Sequence, residues 1–326
     1  MTIEVAIDVI ARDSLCFNLV QIPNMSVHLL EMRLFPIALC ESLLHGTISR
    51  TLMAEDISRF LDEDIGDGDI TTEALIGHQR AIGVIRAKSK CVVAGLAEAS
   101  EVFKEMGLQV KLLADDGDVV SPGTKVLRVQ GPAKALLTSE RLALNFIMMM
   151  SGIATATRIL VDRARKINPK IRIAGTRKTT PGFRKYEKKA IVLGGGDPHR
   201  FRLDDQILIK DNHLKIVGSV TGAVTRAKTF SFSKKVEVEA ETIAQAEEAA
   251  IAGADVILLD NMTPKQVERA AKIVKNIHSH VTIEVSGGIG PKNVASYARY
   301  ADVISAGYIT HSAPAADFSM DVRKVK

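Results

Sequence analysis

Acidic and basic side chains recur at the ends of short apolar runs in the second half of the chain, where several strands could aim them at one ligand. Glu239 closes the run from Val236 and Asp260 the run from Val256, and two such carboxylates could share Mg2+ or hold ribose hydroxyls. Their plainer reading is a pair bonded to loop amides or nearby bases. Thr176, Arg177 and Lys178 follow a third run, His199 and Arg200 come next, and Lys210 and Asn212 follow a fourth. An Arg fork matches a carboxylate and a Lys ammonium meets phosphate as a point charge, so a site holding both suits a small polyanion carrying both groups. Two glycine loops close the series: Ser286, Gly287 and Gly288 run into Gly290, and Gly307 precedes His311. Pro291-Lys-Asn reads as a helix start whose free amides favour phosphate, although glycines after strands also serve plain tight turns.

Other chemistries find less support. No G-x-S-x-G occurs, and no Ser or Cys pairs with a His as an activated nucleophile. His213 and His311 close polar loops, where a hydrogen-bonded structural histidine is the commoner case, and zinc is not expected. Cys16, Cys40 and Cys91 lack CxxC spacing, which argues against a disulfide framework and for a reducing cytosol. The basic stretch Arg177 to Lys189 with Phe183 and Tyr186 reads either as a nucleic-acid patch or as a helix with one solvated face, and no nucleic-acid motif accompanies it. A net charge of +5 admits nucleic acid, an anionic membrane or a small acidic substrate, so placement of the charges must decide. The apolar run Leu142 to Met150 stops well short of a membrane span, and Asp8 and Asp13 stand where a secretory signal would be basic.

Six β-like runs must position these groups: Ile171 to Ala174, Gln206 to Ile209, Val236 to Glu239, Val256 to Asp260, Thr282 to Val285 and Val303 to Ser305. Thr242 with Gln245, and Thr263 with Gln266 around Pro264, have capping-box spacing and open helices between them. Repeated βα units with right-handed crossovers make a parallel sheet, and six or seven fit an incomplete (β/α) barrel better than eight; an open doubly wound sheet stands second. Before residue 151 the rhythm differs. Short strands at Ile82 to Ile85, Val110 to Leu113 and Lys125 to Val129, a helix from Leu96 to Met106 and a long helix from Ala133 to Ile167, broken or bent at Ser151-Gly152, suggest a small α+β domain. The reading is therefore an extension over 1–52, a sandwich domain over 53–150 and a barrel over 151–326.

Together, Thr176-Arg-Lys-Thr-Thr-Pro-Gly-Phe-Arg-Lys185, Gly194-Gly-Gly196, His199-Arg200, Leu208-Ile-Lys-Asp-Asn-His213, Val236-Glu-Val-Glu239, Leu259-Asp-Asn261, Ser286-Gly-Gly288 and Thr310-His-Ser312 resemble one family. Asp64-Ile-Gly-Asp-Gly-Asp-Ile-Thr-Thr72 and Ser139-Glu-Arg-Leu-Ala-Leu-Asn145 extend the likeness to the first domain. The chain resembles quinolinate phosphoribosyltransferase, the decarboxylating nicotinate-nucleotide pyrophosphorylase of NAD biosynthesis.

The resemblance implies an open-faced α/β sandwich before an incomplete α/β barrel, in a cytoplasmic homodimer whose sandwich covers the partner's barrel mouth. It implies that Arg141 reaches the partner's site, and that Arg177, His199, Arg200 and Lys210 hold the two carboxylates of quinolinate, with Thr176 and Asn212 in the same loops. Lys178 and Lys210 would meet phosphates of phosphoribosyl pyrophosphate, Glu239 and Asp260 its ribose and Mg2+, and Ser286, Gly287, Gly288, Gly307 and His311 its 5′-phosphate. Lys178, Glu239 and Asp260 would carry the catalysis. Pro198 and Arg202 depart from the family pattern around the His-Arg pair, and Arg202 is expected to pair with Asp204 or Asp205. Two other readings stand beside this one: a related phosphoribosyltransferase for another pyridine or base, of the molybdenum-associated type, and a non-catalytic nucleic-acid binder.

Overall fold

The computed structural model describes residues 55–325, so the extension read over 1–52 lies outside the described residues. Residues 55–65 are helical (α1) and bury Ile57 and Leu61. Helix α2 (Ile70–Leu75) is capped by Asp69, whose carboxylate accepts from the Thr72 amide at 2.9 Å. Strand β1 (Arg80–Ala87) alternates buried and half-exposed positions, as a sheet covered on one face requires. It pairs antiparallel with β5 (Lys125–Pro132), and β5 with β3 (Gln109–Leu112). The fourth strand of this sheet is β12 (Phe318–Lys324), which returns from the end of the chain to pair with β1. A ribbon of β2 (Cys91–Val92) and β4 (Val119–Val120) and helix α3 (Leu96–Glu105) complete the layer.

Helix α4 (Ala133–Arg165) runs unbroken through Ser151 and Gly152, correcting the expected break. Neither residue loses its partners there: the Ser151 hydroxyl accepts from the Ala94 amide at 2.9 Å and donates to the Ala94 carbonyl at 3.1 Å. Glycine is required at 152 by close approach, because a Cβ would lie 2.2 Å from the Pro314 carbonyl oxygen. This helix is long and apolar enough to cross a membrane by length and composition, and two thirds (67%) of its most apolar window is buried inside the protein. Contacts with α3, with β5 and with the first barrel strand account for that apolarity.

The second layer is a six-stranded parallel sheet in the order β6-β11-β10-β9-β8-β7, from β6 (Arg172–Ala174), β7 (Ile207–Ile209), β8 (Val236–Ala240), β9 (Val256–Asp260), β10 (Thr282–Ser286) and β11 (Val303–Ser305). Every β-like run of the sequence is one of these strands. Asp197 adds an isolated parallel bridge to Ala174 beside β6, through Asp197 N to Ile173 O at 2.7 Å and Gly175 N to Asp197 O at 2.9 Å. The parallel sheet therefore has six strands among the described residues, the lower of the two counts expected. Helices α5 (Arg184–Leu193), α6 (Asp211–Val217), α7 (Val220–Phe230), α8 (Ile243–Ile251), α9 (Pro264–Ile277) and α10 (Val294–Tyr297) lie between the strands. Both capping boxes form, at Thr242 with Gln245 and at Thr263 with Gln266, the second with Pro at the helix start.

Candidate active site

Parity along the strands decides what faces the barrel interior. On β8, Val236, Val238 and Ala240 join the apolar core, whereas Glu237 and Glu239 line the interior. Leu258 and Asp260 on β9, Glu284 and Ser286 on β10, and Ser305 on β11 face the same way. These side chains and Thr176, Arg177, Lys178, His199, Arg200 and Lys210 enclose a cavity of about 470 Å³ at the carboxyl ends of the strands. A second cavity of about 320 Å³ adjoins it, lined by Gly287, Gly288, Gly307 and His311 and sharing Thr176, Lys178, Ser286 and Ser305. Elongated polyanions fit such a pair: Arg177, Arg200 and Lys210 in one cavity, a glycine-lined pocket in the other, and Lys178 common to both.

The loop after β6 is held from several sides. Thr310 donates to the Lys178 carbonyl at 2.8 Å, the Thr176 hydroxyl accepts from the Lys178 amide at 3.1 Å, and Arg184 Nε donates to Thr179 Oγ1 at 2.9 Å. Buried Glu187 accepts from the Thr180 amide at 3.1 Å. Arg177 Nε is buried without a hydrogen-bond partner, a donor poised for an anion. Arg200 donates towards the carbonyls of Leu203 and Gln206 at 3.3 and 3.4 Å, and burial followed by the neighbouring Arg177 charge lowers its pKa. Two guanidiniums held this close call for an anionic partner.

Lys210 Nζ donates to Glu239 at 2.8 Å. Burial and then the Glu239 charge push the Asp260 carboxyl above its ordinary value, while Lys178 and Lys210 oppose the shift. Two hard carboxylates that repel one another on adjacent strands are a donor set that fits Mg2+. Asn261 has φ 55° and its Nδ2 donates to Asp260 at 2.7 Å. Directly beside it, Gly287 (φ 98°) is where glycine is obligatory, since a Cβ would lie 2.2 Å from Asn261 Oδ1.

The structure revises several expectations. Pro291-Lys-Asn leads into a helix of only four residues: α10 starts at Val294 with Asn293 as its N-cap, and the Asn293 side chain is turned back to brace the glycine loop, accepting from the Gly290 amide at 2.9 Å and donating to the Gly288 carbonyl at 3.0 Å. His213 caps α6, its Nδ1 accepting from the Lys210 amide at 2.8 Å. Asn212 is exposed, accepts from Lys215 at 3.2 Å and lines neither cavity. Arg141 is exposed on α4 and also lies outside both cavities. The Arg202 guanidinium packs over the Phe201 ring at 5.9 Å and forms no ion pair with Asp204 or Asp205; the Asp205 carboxylate is taken by the amides of Phe201 and Arg202. Nor is α5 merely a solvated basic face. Lys188 is buried and donates to the His199 carbonyl at 2.9 Å, with its pKa lowered to about 8 by burial and then by Arg184. Phe183 and Tyr186 pack with Phe60 and Phe146 at centroid distances of 4.9–6.3 Å, which removes the aromatic faces a nucleic acid would stack on.

Three polar side chains of the first cavity went unread in the sequence. Glu237, Glu284 and Ser305 sit two residues from Glu239, Ser286 and Gly307, on the same parity of the same segments, and that period of two was the available signal.

An incomplete parallel barrel that gathers cationic groups, a carboxylate pair and glycine loops at its carboxyl end defines a barrel enzyme acting on small phosphorylated and carboxylated substrates. Residues 69–151 match the model of the quinolinate phosphoribosyl transferase N-terminal domain, and residues 153–321 match that of its C-terminal domain. The chain is 46% identical over 279 residues to the probable nicotinate-nucleotide pyrophosphorylase [carboxylating] of Methanothermobacter thermautotrophicus, covering 84% of this chain and 100% of that one. Among solved structures it is similar to NadC from Streptococcus pyogenes, with TM-score 0.78, 38% identity and coverage of 86% and 98%. The nicotinate-nucleotide pyrophosphorylase from Francisella tularensis also gives TM-score 0.78, at 34% identity and coverage of 84% and 96%. The chain belongs to the quinolinate phosphoribosyltransferase family.

Proposed function

We infer that the chain transfers the phosphoribosyl group of phosphoribosyl pyrophosphate to quinolinate, with decarboxylation, to give nicotinate mononucleotide, pyrophosphate and CO2. Family membership carries this reading, and the joined cavities support it. The single observation that serves it best is the sharing of Thr176, Lys178, Ser286 and Ser305 between a carboxylate-ready cavity and a glycine-lined one. Each substrate is anionic, and a protein carrying +5 favours their encounter.

In this reading Arg177, His199, Arg200 and Lys210 take the two ring carboxylates, and Ser286, Gly287, Gly288, Gly307 and His311 take the 5′-phosphate. Thr176 shapes the loop that holds Lys178 over both cavities. Glu239 and Asp260 would hold Mg2+, which neutralises the pyrophosphate leaving group when bound, and they face the ribose. The pyridine nitrogen attacks the anomeric carbon as the bond to pyrophosphate breaks, and positive charge develops on the ribose. Carboxylates at the strand ends stabilise that charge, and Lys178 meets the departing phosphates. The pyridinium then draws the electron pair of the C2 to carboxylate bond into C2, CO2 leaves, and C2 takes a proton. No protein nucleophile is needed.

We further place Arg141 in the site of a partner subunit, which its exposure on α4 and its distance from both cavities leave it free to reach. A homodimer in the cytosol is the corresponding assembly and location, and the free buried thiol of Cys91 suits a reducing compartment. The test is release of CO2 from ring-carboxyl-labelled quinolinate. Release that requires both Mg2+ and phosphoribosyl pyrophosphate supports the coupled reaction, and turnover of nicotinate in preference to quinolinate refutes the substrate assignment.

A further inference from the structure

A (β/α) barrel is ordinarily plugged by apolar layers, whereas the middle layer here is titratable. A third cavity of about 360 Å³ opens at the opposite, amino end of the strands, lined by Arg172, Gln206, Lys235, Val256, Thr282 and Val303 among others. It shares three residues with the substrate cavity, His199, Glu237 and Glu284, so these three side chains are the partition between the two ends of the bore. His199 Nε2 lies 3.6 Å from Glu237 and 3.8 Å from Glu284, and both carboxyl groups are buried.

We propose that Glu284 is a positioning residue for recognition of the dicarboxylate: with Glu237 it holds the His199 ring across the bore, at the floor of the substrate cavity. This rests on the quinolinate reading of that cavity.

His199 is held by several neighbours. Its amide donates to Asp197 at 3.1 Å, its carbonyl accepts from Lys188, Gln206 Nε2 sits 3.5 Å from its Nε2 and also donates to Glu237, and Arg200 follows it in the chain. With Nε2 turned to the glutamates, Nδ1 is the ring atom left for the substrate. Burial first, and then the Glu237 charge, push the Glu284 carboxyl up to about 7, while His199 opposes the shift. The contact with Glu237 first, and after it the Glu284 charge, raise His199 above its ordinary value against the opposing effect of burial. Below about pH 7 the Glu284 carboxyl is neutral. Above it, Glu284 ionises and adds one negative charge to the lining of the cavity read as the quinolinate site. The glycine-lined cavity for the 5′-phosphate contains none of the three residues. Because His199, assigned to the ring carboxylates, is the cationic group within 4 Å of Glu284, the charge change should act more on quinolinate than on phosphoribosyl pyrophosphate, whose ribose and diphosphate share the first cavity.

Glu284→Gln keeps the shape and the hydrogen-bonding capacity but cannot ionise. The experiment is KM for quinolinate and for phosphoribosyl pyrophosphate across neutral pH, in wild type and E284Q. For one linked proton the limit is tenfold per pH unit above the titration, so the wild-type quinolinate KM should climb about tenfold on the alkaline side and that of E284Q less than about threefold. The KM for phosphoribosyl pyrophosphate should change in parallel in the two proteins. Should E284Q not fold, proton uptake on binding of quinolinate to the wild type, read by calorimetry in buffers of different ionisation enthalpy just above neutrality, carries the same information. Zero uptake, or superimposable quinolinate profiles in an active E284Q, overturns this inference alone. Absence of quinolinate-dependent CO2 release from the wild type at every pH overturns the site reading with it.

Discussion

Replacing Gly287 by Ala should damage the site through one contact whose size can be worked out beforehand. Two penalties add at this position. The backbone φ is 98°, in the left-handed region, where a Cβ costs roughly 1–2 kcal/mol. The new methyl would also sit 2.2 Å from Asn261 Oδ1 and 2.7 Å from Asn261 N. Asn261 cannot retreat freely, because its amide donates to Ser286 O at 3.0 Å and its Nδ2 to Asp260 at 2.7 Å. Relief of that overlap should cost a further 1–3 kcal/mol, roughly, as for other overpacked positions. Gly288 is the internal control: its φ is 61°, and a Cβ there meets nothing within 4 Å. G288A should thus lose about 1 kcal/mol in urea unfolding, from backbone strain alone, and G287A about 2–5 kcal/mol. Displacement of Asn261 must drag Asp260, so G287A should also raise KM for phosphoribosyl pyrophosphate more than KM for quinolinate. Equal losses of stability in the two variants would refute the steric reasoning, and an unchanged phosphoribosyl pyrophosphate KM in G287A would refute the coupling to Asp260.

Arg177→Ala should weaken quinolinate binding more than phosphoribosyl pyrophosphate binding, by about 1.5–3 kcal/mol for a lost charge-assisted contact, and equal weakening in binding assays would contradict its role. If Arg141 serves a partner subunit, R141A and D260N should each be inactive alone, yet mixed and reassembled in equal amounts they should recover about a quarter of wild-type activity, since half of the dimers are mixed and half their sites intact. No recovery would place Arg141 elsewhere. Burial pushes the Cys91 thiol up to about 11, so at pH 8 only about one in a thousand is ionised; mass spectrometry should find it unalkylated in the native protein and alkylated in urea. Rapid native labelling would contradict its burial.

Local sequence determined a good deal of this protein. Val236-Glu-Val-Glu239 and Val256 to Asp260 end in carboxylates because a buried parallel strand admits polar groups only where it leaves the sheet or faces a polar interior. The capping boxes at Thr242 and Thr263 are closed over three residues, so they form as their spacing dictates. Order of strands, basic groups and glycine loops along the chain was legible for the same reason: each is a property of a few adjacent residues.

Other features needed the assembled barrel. A break at Ser151-Gly152 was a sound local inference, but Ala94 satisfies the serine and the backbone at Pro314 fills the space that glycine leaves, both from far along the chain. Lys188 reads as a solvated base until α5 packs against the barrel and turns its ammonium onto the His199 carbonyl. Sequence alone placed acidic groups at strand ends. Only the strand order, with β8 and β10 on either side of β9, made Glu237 and Glu284, distant in the chain, neighbours of one histidine in the bore, because burial and mutual charge depend on distances that no local pattern encodes.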